Sequence, residues 1–320
     1  MKETVIIAGS GRSGTTWVQD SLAAANNMRT LFEPLKPDSV SSAADFAYQY
    51  VDVHANNDEL TTFMEKVFSG EMRSIWVNYR LRPDGFNVFK NGLKDTYFYL
   101  RKSYRHYKKY GAAGNGNNGM IVKFIRANLM LPWIVANFNI RTALIIRHPC
   151  AVVASRLKLP RAFWGAEMTI NRYRKDPAVV ELVMNEFGVD IGDDMSAASA
   201  LTCVWCIENL LPIRWAAESN YDVFAYENLL ADDGSEWGRL VTHLGLARVP
   251  ESSLLESPSQ QVSPEMRNRS FTSRQLGKWQ TELESQALSD IEAVLDGFGC
   301  DYYSVDDWMP RPGYGAATET

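Results

Sequence analysis

Near its amino terminus the chain runs Thr4-Val5-Ile6-Ile7-Ala8 directly into Gly9-Ser10-Gly11-Arg12-Ser13-Gly14-Thr15-Thr16, then into a helical pattern from Thr16 to Ala25 that stops at Asn26-Asn27. A β-forming run without polar alternation is buried on both faces, as parallel strands are. Glycine and serine in the loop leave backbone N–H groups free to converge. The following helix aims the positive end of its dipole at the same place, so the unit predicts a phosphate-sized anion site. The nucleoside-triphosphatase form of such a loop reads G-x-x-x-x-G-K-[ST]. Here Thr15 stands where that lysine belongs and Arg12 lies inside the loop, a charged fork able to bridge neighbouring anionic oxygens. No strand ends in an aspartate with a claim on Mg²⁺, which demotes ATP or GTP hydrolysis.

A short strand at Arg29 to Phe32 ends at Glu33-Pro34. Met120 to Phe124 and Thr142 to Ile146 form buried strands with a helix from Leu131 to Phe138 between them. Pro149 opens a helix through Leu157, and a long helix from Ala197 to about Glu218 precedes a last strand, Tyr221 to Tyr226. This alternation specifies the α/β class: a single P-loop-like domain with a central parallel β-sheet flanked by helices, plus helical insertions. The domain is expected over 1–309, with insertions at about 36–119 and 158–196 and a flexible tail at 310–320. Residues 43–110 read as helical, Gly111 to Gly119 as a surface connector and Lys158 to Ser196 as irregular.

A chain of 320 residues, 46% hydrophobic, can bury a large core, and a net charge of -5 argues against broad nucleic-acid or anionic-membrane binding. No apolar run approaches a membrane span, and the amino terminus is too short for a signal peptide, so a cytoplasmic location is expected. Cys150, Cys203, Cys206 and Cys300 are too few and irregular for a disulfide framework. Cys203 and Cys206 read as buried thiols, not as a metal or redox pair.

Several residues carry chemistry beyond the loop. Arg147 ends a strand and leads into a helix whose face carries Ser155, a second anion cradle, with Arg156 beside it. Lys123, a lone charge in an apolar strand, must aim at a functional edge or an acidic partner. Glu33 lies at a strand's carboxyl end, where ligands bind in open α/β sheets. Trp17 has two readings, a core residue or a surface for a base.

Arg12-Ser13-Gly14-Thr15-Thr16-Trp17 resembles the 5'-phosphosulfate loop of sulfotransferases, and the Arg form is closest to Golgi carbohydrate sulfotransferases. The resemblance extends over Arg147 to Ser155, similar to the family's R-x-P-x-x-x-x-x-S element, which implies a 3'-phosphate on Arg147 and Ser155. Tyr226-Glu227-Asn228-Leu229 resembles a Y-E-D/N-L segment whose tyrosine approaches the adenine; a half-buried strand aromatic is the other reading of Tyr226. Ser270 to Trp279 is similar to a segment that folds over the nucleotide, which implies Ser273 and Arg274 at the 3'-phosphate. Cytosolic members read K-x-H where this chain has Lys123-Phe124-Ile125, so their histidine base is absent. Leu31-Phe32-Glu33-Pro34 is similar to the L-F/Y-E-P element of carbohydrate sulfotransferases, which makes Glu33 the general base; a salt-bridged loop carboxylate is the alternative.

The resemblance thus implies 3'-phosphoadenosine 5'-phosphosulfate as donor, held by Gly11, Arg12, Ser13, Gly14, Thr15, Thr16, Trp17, Arg147, Ser155, Tyr226, Ser273 and Arg274. Glu33, Lys123 and Arg12 are the implied catalytic residues, acting without a metal in an in-line displacement that releases adenosine 3',5'-bisphosphate. The implied acceptor is a hydroxyl of a carbohydrate or other small alcohol, with no nucleic-acid partner. The unmatched insertions, carrying Trp76, Tyr79, Phe86, Trp164 and Tyr173, are expected to shape its site. A nucleotide or small-molecule kinase and a non-catalytic nucleotide-binding protein are the alternatives. His54, His106, His148 and His243 have no motif that identifies a base, although His148 stands near the nucleotide elements.

Overall fold

In a computed structural model, the structure describes residues 3–72, 92–93, 96–97, 100–101, 104, 118–159, 165–231, 234–255 and 273–311. Trp76, Tyr79, Phe86, Trp164, the connector at 111–117 and the tail at 312–320 lie outside the described residues, as do the side chains of Ser273 and Arg274. The class is α/β, with a five-stranded sheet in the order β2-β3-β1-β4-β5, made of β1 (Glu3–Ala8), β2 (Arg29–Phe32), β3 (Gly119–Phe124), β4 (Thr142–Ile146) and β5 (Asp222–Ala225). Strand β3 runs parallel to both β1 and β2. By contact density the chain divides into two compact units, one of Met1–Ala8, Thr15–Ala143 and Trp237–Ser270, the other of Gly9–Gly14, Leu144–Glu236 and Phe271–Thr320.

In the first unit, Val5 to Ala8 and Ile121 to Val122 are wholly buried, as apolar central strands require. Helix α1 (Thr15–Asn26) is pinned on these strands by Gln19, whose buried amide donates to the carbonyls of Leu31 and Ile121 at 3.1 and 2.9 Å. It ends at Asn27, whose φ of 51° is one that asparagine tolerates. Helix α2 (Asp58–Phe68) begins where the Asn57 side chain accepts from the Leu60 N–H. Within the expected helical region 43–110 this is the α-helix whose bounds are described.

The second unit is built round a long helix. After α3 (Leu131–Phe138) of the first unit come α4 (Pro149–Leu157), α5 (Ala166–Arg174), α6 (Pro177–Phe187) and α7 (Ala197–Ser219). Residues Ala200 to Ile213 of α7 are buried without interruption, the pattern of a helix that is itself core. It packs against α4, α5 and the closing helix, and this burial brings its one central carboxylate, Glu208, inside. Cys203 and Cys206 lie buried there too, and burial pushes the Cys203 thiol up to about 12.

Two expectations need correction. The stretch Lys158 to Ser196, read as irregular, contains helices α5 and α6. Pro177 occupies the first turn of α6 and the Asp176 carboxylate accepts from the N–H groups of Ala178 and Val179, so residues read as punctuation are a helix start. Strand β5 ends at Ala225, and Tyr226 opens α8 (Tyr226–Ala231). The remaining elements are α9 (Ser235–Leu244), α10 (Ser252–Leu255), a 3₁₀ helix at Ser273–Thr281 and α11 (Ser285–Gly297). No helix among the described residues is long and apolar enough to cross a membrane. Replacing the cap, Asp176→Ala, is expected to lower stability by about 1 kcal/mol in urea unfolding, with the folded spectrum unchanged.

Candidate functional site

Strand register delivers the first group of residues. Phe32 pairs with Lys123 across β2 and β3, and the Glu33 N–H continues the ladder to the Lys123 carbonyl at 3.0 Å. Glu33 and Lys123 therefore meet at one edge. Lys123 Nζ donates to Glu33 Oε1 at 2.8 Å and to Thr16 Oγ1, in the first turn of α1, at 3.1 Å. Arg126 donates to the other carboxylate oxygen, Oε2, at 2.7 Å. The Lys123 ammonium also sits 3.7 Å from the centre of the Phe32 ring, and the Arg126 guanidinium 5.4 Å from that of Tyr48.

Burial alone would raise the Glu33 carboxyl, yet Lys123 and Arg126, by charge and hydrogen bond, hold it down to about 2. Burial lowers the Lys123 ammonium, and Glu33 opposes that shift. At neutral pH the pair is an ionised carboxylate between two cations. Glu33 is thus a salt-bridged carboxylate, and it lies just past the carboxyl end of β2. Sequence reasoning missed Arg126, whose signal was a second lone charge, two residues beyond β3, in an otherwise apolar stretch.

The loop group is built in the second unit. Ser13 turns back to hydrogen-bond the Ser10 carbonyl, and the two hydroxyls meet at 2.7 Å. Arg12 Nε donates to Ser155 Oγ at 2.8 Å, and Arg147 donates to the Arg12 carbonyl at 3.2 Å. The two cradles read separately in the sequence are one cluster, joined also by Arg156, which donates to the Gly11 carbonyl at 3.4 Å. Burial lowers the Arg12 guanidinium, and the charges of Arg147 and Arg156 lower it further. The Nε of Arg147 is buried with no hydrogen-bond partner among the described residues. Crowded cations and a buried donor without a protein partner are chemistry suited to an anion.

Tyr226 is buried under this loop. A Cβ on Gly14, whose φ is 83°, would stand 2.3 Å from the Tyr226 ring, so only glycine lets the loop lie there. Arg147 stacks on the same ring at 4.7 Å. The expectation of a half-buried strand aromatic is corrected: the ring supports the loop from the start of a helix. Trp17 is 2% exposed, edge-on to Trp237 at 5.3 Å, with its N–H on the Leu255 carbonyl, which is its core reading. Thr15 is buried at the start of α1.

His148 is fully buried and stacks on Trp279 at 4.7 Å. Its Nε2 faces the carbonyls of Ser304 and Asp307 while Nδ1 accepts from the Cys150 N–H, which fixes the Nε2–H tautomer. Burial pushes the ring down to about 4, so it is neutral. Glu227, missed in the sequence as a functional support, accepts from the His148 N–H and the Tyr303 hydroxyl, both at 2.9 Å.

Among the described residues, no group of three or more His, Cys, Asp and Glu side chains is placed to hold a metal ion. Strained backbone marks the same positions. Of the six non-glycine residues with positive φ among those described, three are asparagines; the others are Arg12, Glu33 and Tyr48. Each such residue costs roughly 1–3 kcal/mol and persists where its surroundings over-determine it.

No family model matches the sequence, and no curated protein matches it. Among solved structures, the sulfotransferase domain from the Synechococcus PCC 7002 olefin synthase is similar at 15% identity and a TM-score of 0.43, over 94% of this chain and 97% of that one. The sulfotransferase domain from the curacin biosynthetic pathway shares 12% identity with a TM-score of 0.45, over 93% and 98%. Sulfotransferase STF9 from Mycobacterium avium shares 14% with a TM-score of 0.37, over 93% and 77%. Likenesses this distant carry no argument about chemistry.

The Glu33 carboxyl lies lower in the folded chain than its ordinary 4.5, so the unfolded chain binds more protons between about 4.5 and 2, and stability is lost as pH falls through that window. Glu33→Gln leaves two buried cations facing each other. It is expected to cost about 3–5 kcal/mol in urea unfolding at pH 7, and the difference from the unsubstituted protein should shrink as the pH drops toward 2.

Proposed function

We propose that this protein is a sulfotransferase that passes a sulfuryl group from 3'-phosphoadenosine 5'-phosphosulfate to a hydroxyl of a carbohydrate or other small alcohol. The observation that carries the reading is Lys123, which donates at once to Thr16 at the start of α1 and to Glu33. The loop has no lysine of its own, and Lys123 is the one the sequence resemblance assigns to the reaction. A cation shared between a helix N-terminus and a carboxylate suits a reaction in which negative charge grows on a leaving oxygen while a proton leaves an incoming one.

The donor's chemistry fits the residues present. It carries a phosphosulfate and a 3'-phosphate, and Arg12, Arg147 and Ser155 supply donors for anions, including the orphaned Arg147 Nε. An anion there would offset both the burial and the repulsion by Arg147 and Arg156 that lower Arg12. The Ser155 hydroxyl accepts from Arg12 and retains its own proton to donate. Ser273 and Arg274 stay in the proposal on sequence resemblance alone.

In the proposed step the acceptor oxygen bonds to sulfur as the bond from sulfur to the bridging phosphate oxygen breaks, and the acceptor proton passes to Glu33. A carboxylate held at about 2 by two cations pulls weakly on a proton. As Lys123 turns toward the charge developing on the leaving oxygen, Glu33 loses one of its two counter-charges and gains basicity when the proton must move. Arg126 keeps the carboxylate in place through the other oxygen.

Calorimetry is expected to show adenosine 3',5'-bisphosphate binding in preference to ATP, and equal or inverted preference would reject the donor. Glu33→Gln should slow sulfuryl transfer by ~10²-fold or more with little change in bisphosphate affinity; near-normal turnover would remove Glu33 as the base.

A further inference from the structure

Arg156 belongs to a buried chain of polar contacts that starts in the insertion and ends on the loop. The Tyr173 hydroxyl, on α5, donates to Glu208 Oε1 at 2.9 Å, and Arg156 holds Glu208 Oε2 at 3.1 Å. The same Arg156 nitrogen reaches the Gly11 carbonyl at 3.4 Å. All three side chains are essentially inaccessible: Arg156 and Glu208 are 2% exposed and Tyr173 1%. Tyr173 is therefore not the acceptor-facing aromatic expected from the sequence. A carboxylate in a helix that is core on every side is retained at a desolvation cost, and its two oxygens are divided between the Tyr173 hydroxyl and the Arg156 guanidinium.

That orientation has a consequence for the loop. The Gly11–Arg12 peptide is trans, as are the peptide bonds among the described residues, so the Gly11 carbonyl and the Arg12 N–H point in opposite directions from one peptide plane. Anchoring the carbonyl on Arg156 fixes the plane of that peptide and with it where the Arg12 N–H aims. Arg156 also contributes charge, since it is among the groups that lower Arg12.

We infer that Tyr173, Glu208 and Arg156 form a positioning relay through which the insertion helix α5 sets the anion affinity of the loop. The inference rests on the donor reading above. Arg156, Glu208 and Tyr173 are positioning residues and touch no reacting atom.

The test is calorimetric titration of adenosine 3',5'-bisphosphate into the full chain and into Tyr173→Phe, Arg156→Lys and the double variant, each checked for folding by thermal unfolding. Tyr173→Phe keeps the ring and removes only the hydroxyl. It should weaken binding about three- to tenfold, the scale of one typical net hydrogen bond. Because the residues act in series, the double variant should lose little more than the worse single one. Unchanged affinity in folded Tyr173→Phe, or additive losses, would overturn the relay. Should Arg156→Lys fail to fold, Glu208→Gln replaces it in the same cycle. If the unsubstituted chain binds no bisphosphate, the donor reading fails, an outcome distinct from binding that is insensitive to Tyr173.

Discussion

The ion triad of Glu33, Lys123 and Arg126 is the constraint on which the strand edge depends. A carboxylate this buried is tolerable only because two cations and their hydrogen bonds outweigh its desolvation. The triad exists because β2 and β3 run parallel in a register that sets Glu33 one residue past the Phe32–Lys123 pair. It also accounts for the backbone: Glu33 at φ 48° and Tyr48 at φ 68° are strained conformations that the contacts of Arg126 with both side chains hold in place.

The second unit solves the same electrostatic problem in the opposite way. Glu227 is at least as buried as Glu33, but it accepts from a backbone N–H and a phenol, with Arg147 acting through its charge, and burial raises its carboxyl. His148 beside it is neutral. One carboxylate is kept strongly ionised at the carboxyl end of β2. The other serves as an acceptor that fixes the chain just after Arg147, where Trp205 also donates to the Arg147 carbonyl at 2.9 Å. The difference lies in the charge of the neighbours, not in depth.

Most strands were legible because an apolar run of five or so residues has few alternatives, and Lys123 was legible because it interrupts one. The loop's anion chemistry followed from glycine spacing and Arg12. Less legible were groups defined by long-range partners: Arg126 and Glu208 sit in no local pattern that names what they meet, and the motif around Glu227 and the insertion around Tyr173 do not name theirs. Glu208 left a trace, being the single charge between Leu201 and Ile213 in a helix too apolar to have a wet face. Helix α6 was legible in principle, since Asp-Pro before an apolar run is a start signal. The charge-rich stretch before it masks that cap in the local pattern. Tyr226 was placed one element early because strand propensity does not stop at an aromatic, while the chain turns there to seat the ring under the loop.

The contact between Gly14 and Tyr226 links two positions far apart in the chain into one unit of shape. The tyrosine ring occupies the volume a side chain at position 14 would need. Any redesign of the loop is thereby restricted to paired changes: a bulkier residue at one position demands a smaller one at the other, and Arg147, which lies over the same ring, loses its platform in the exchange. A library that varies the loop alone would sample mainly proteins whose loop has nowhere to rest.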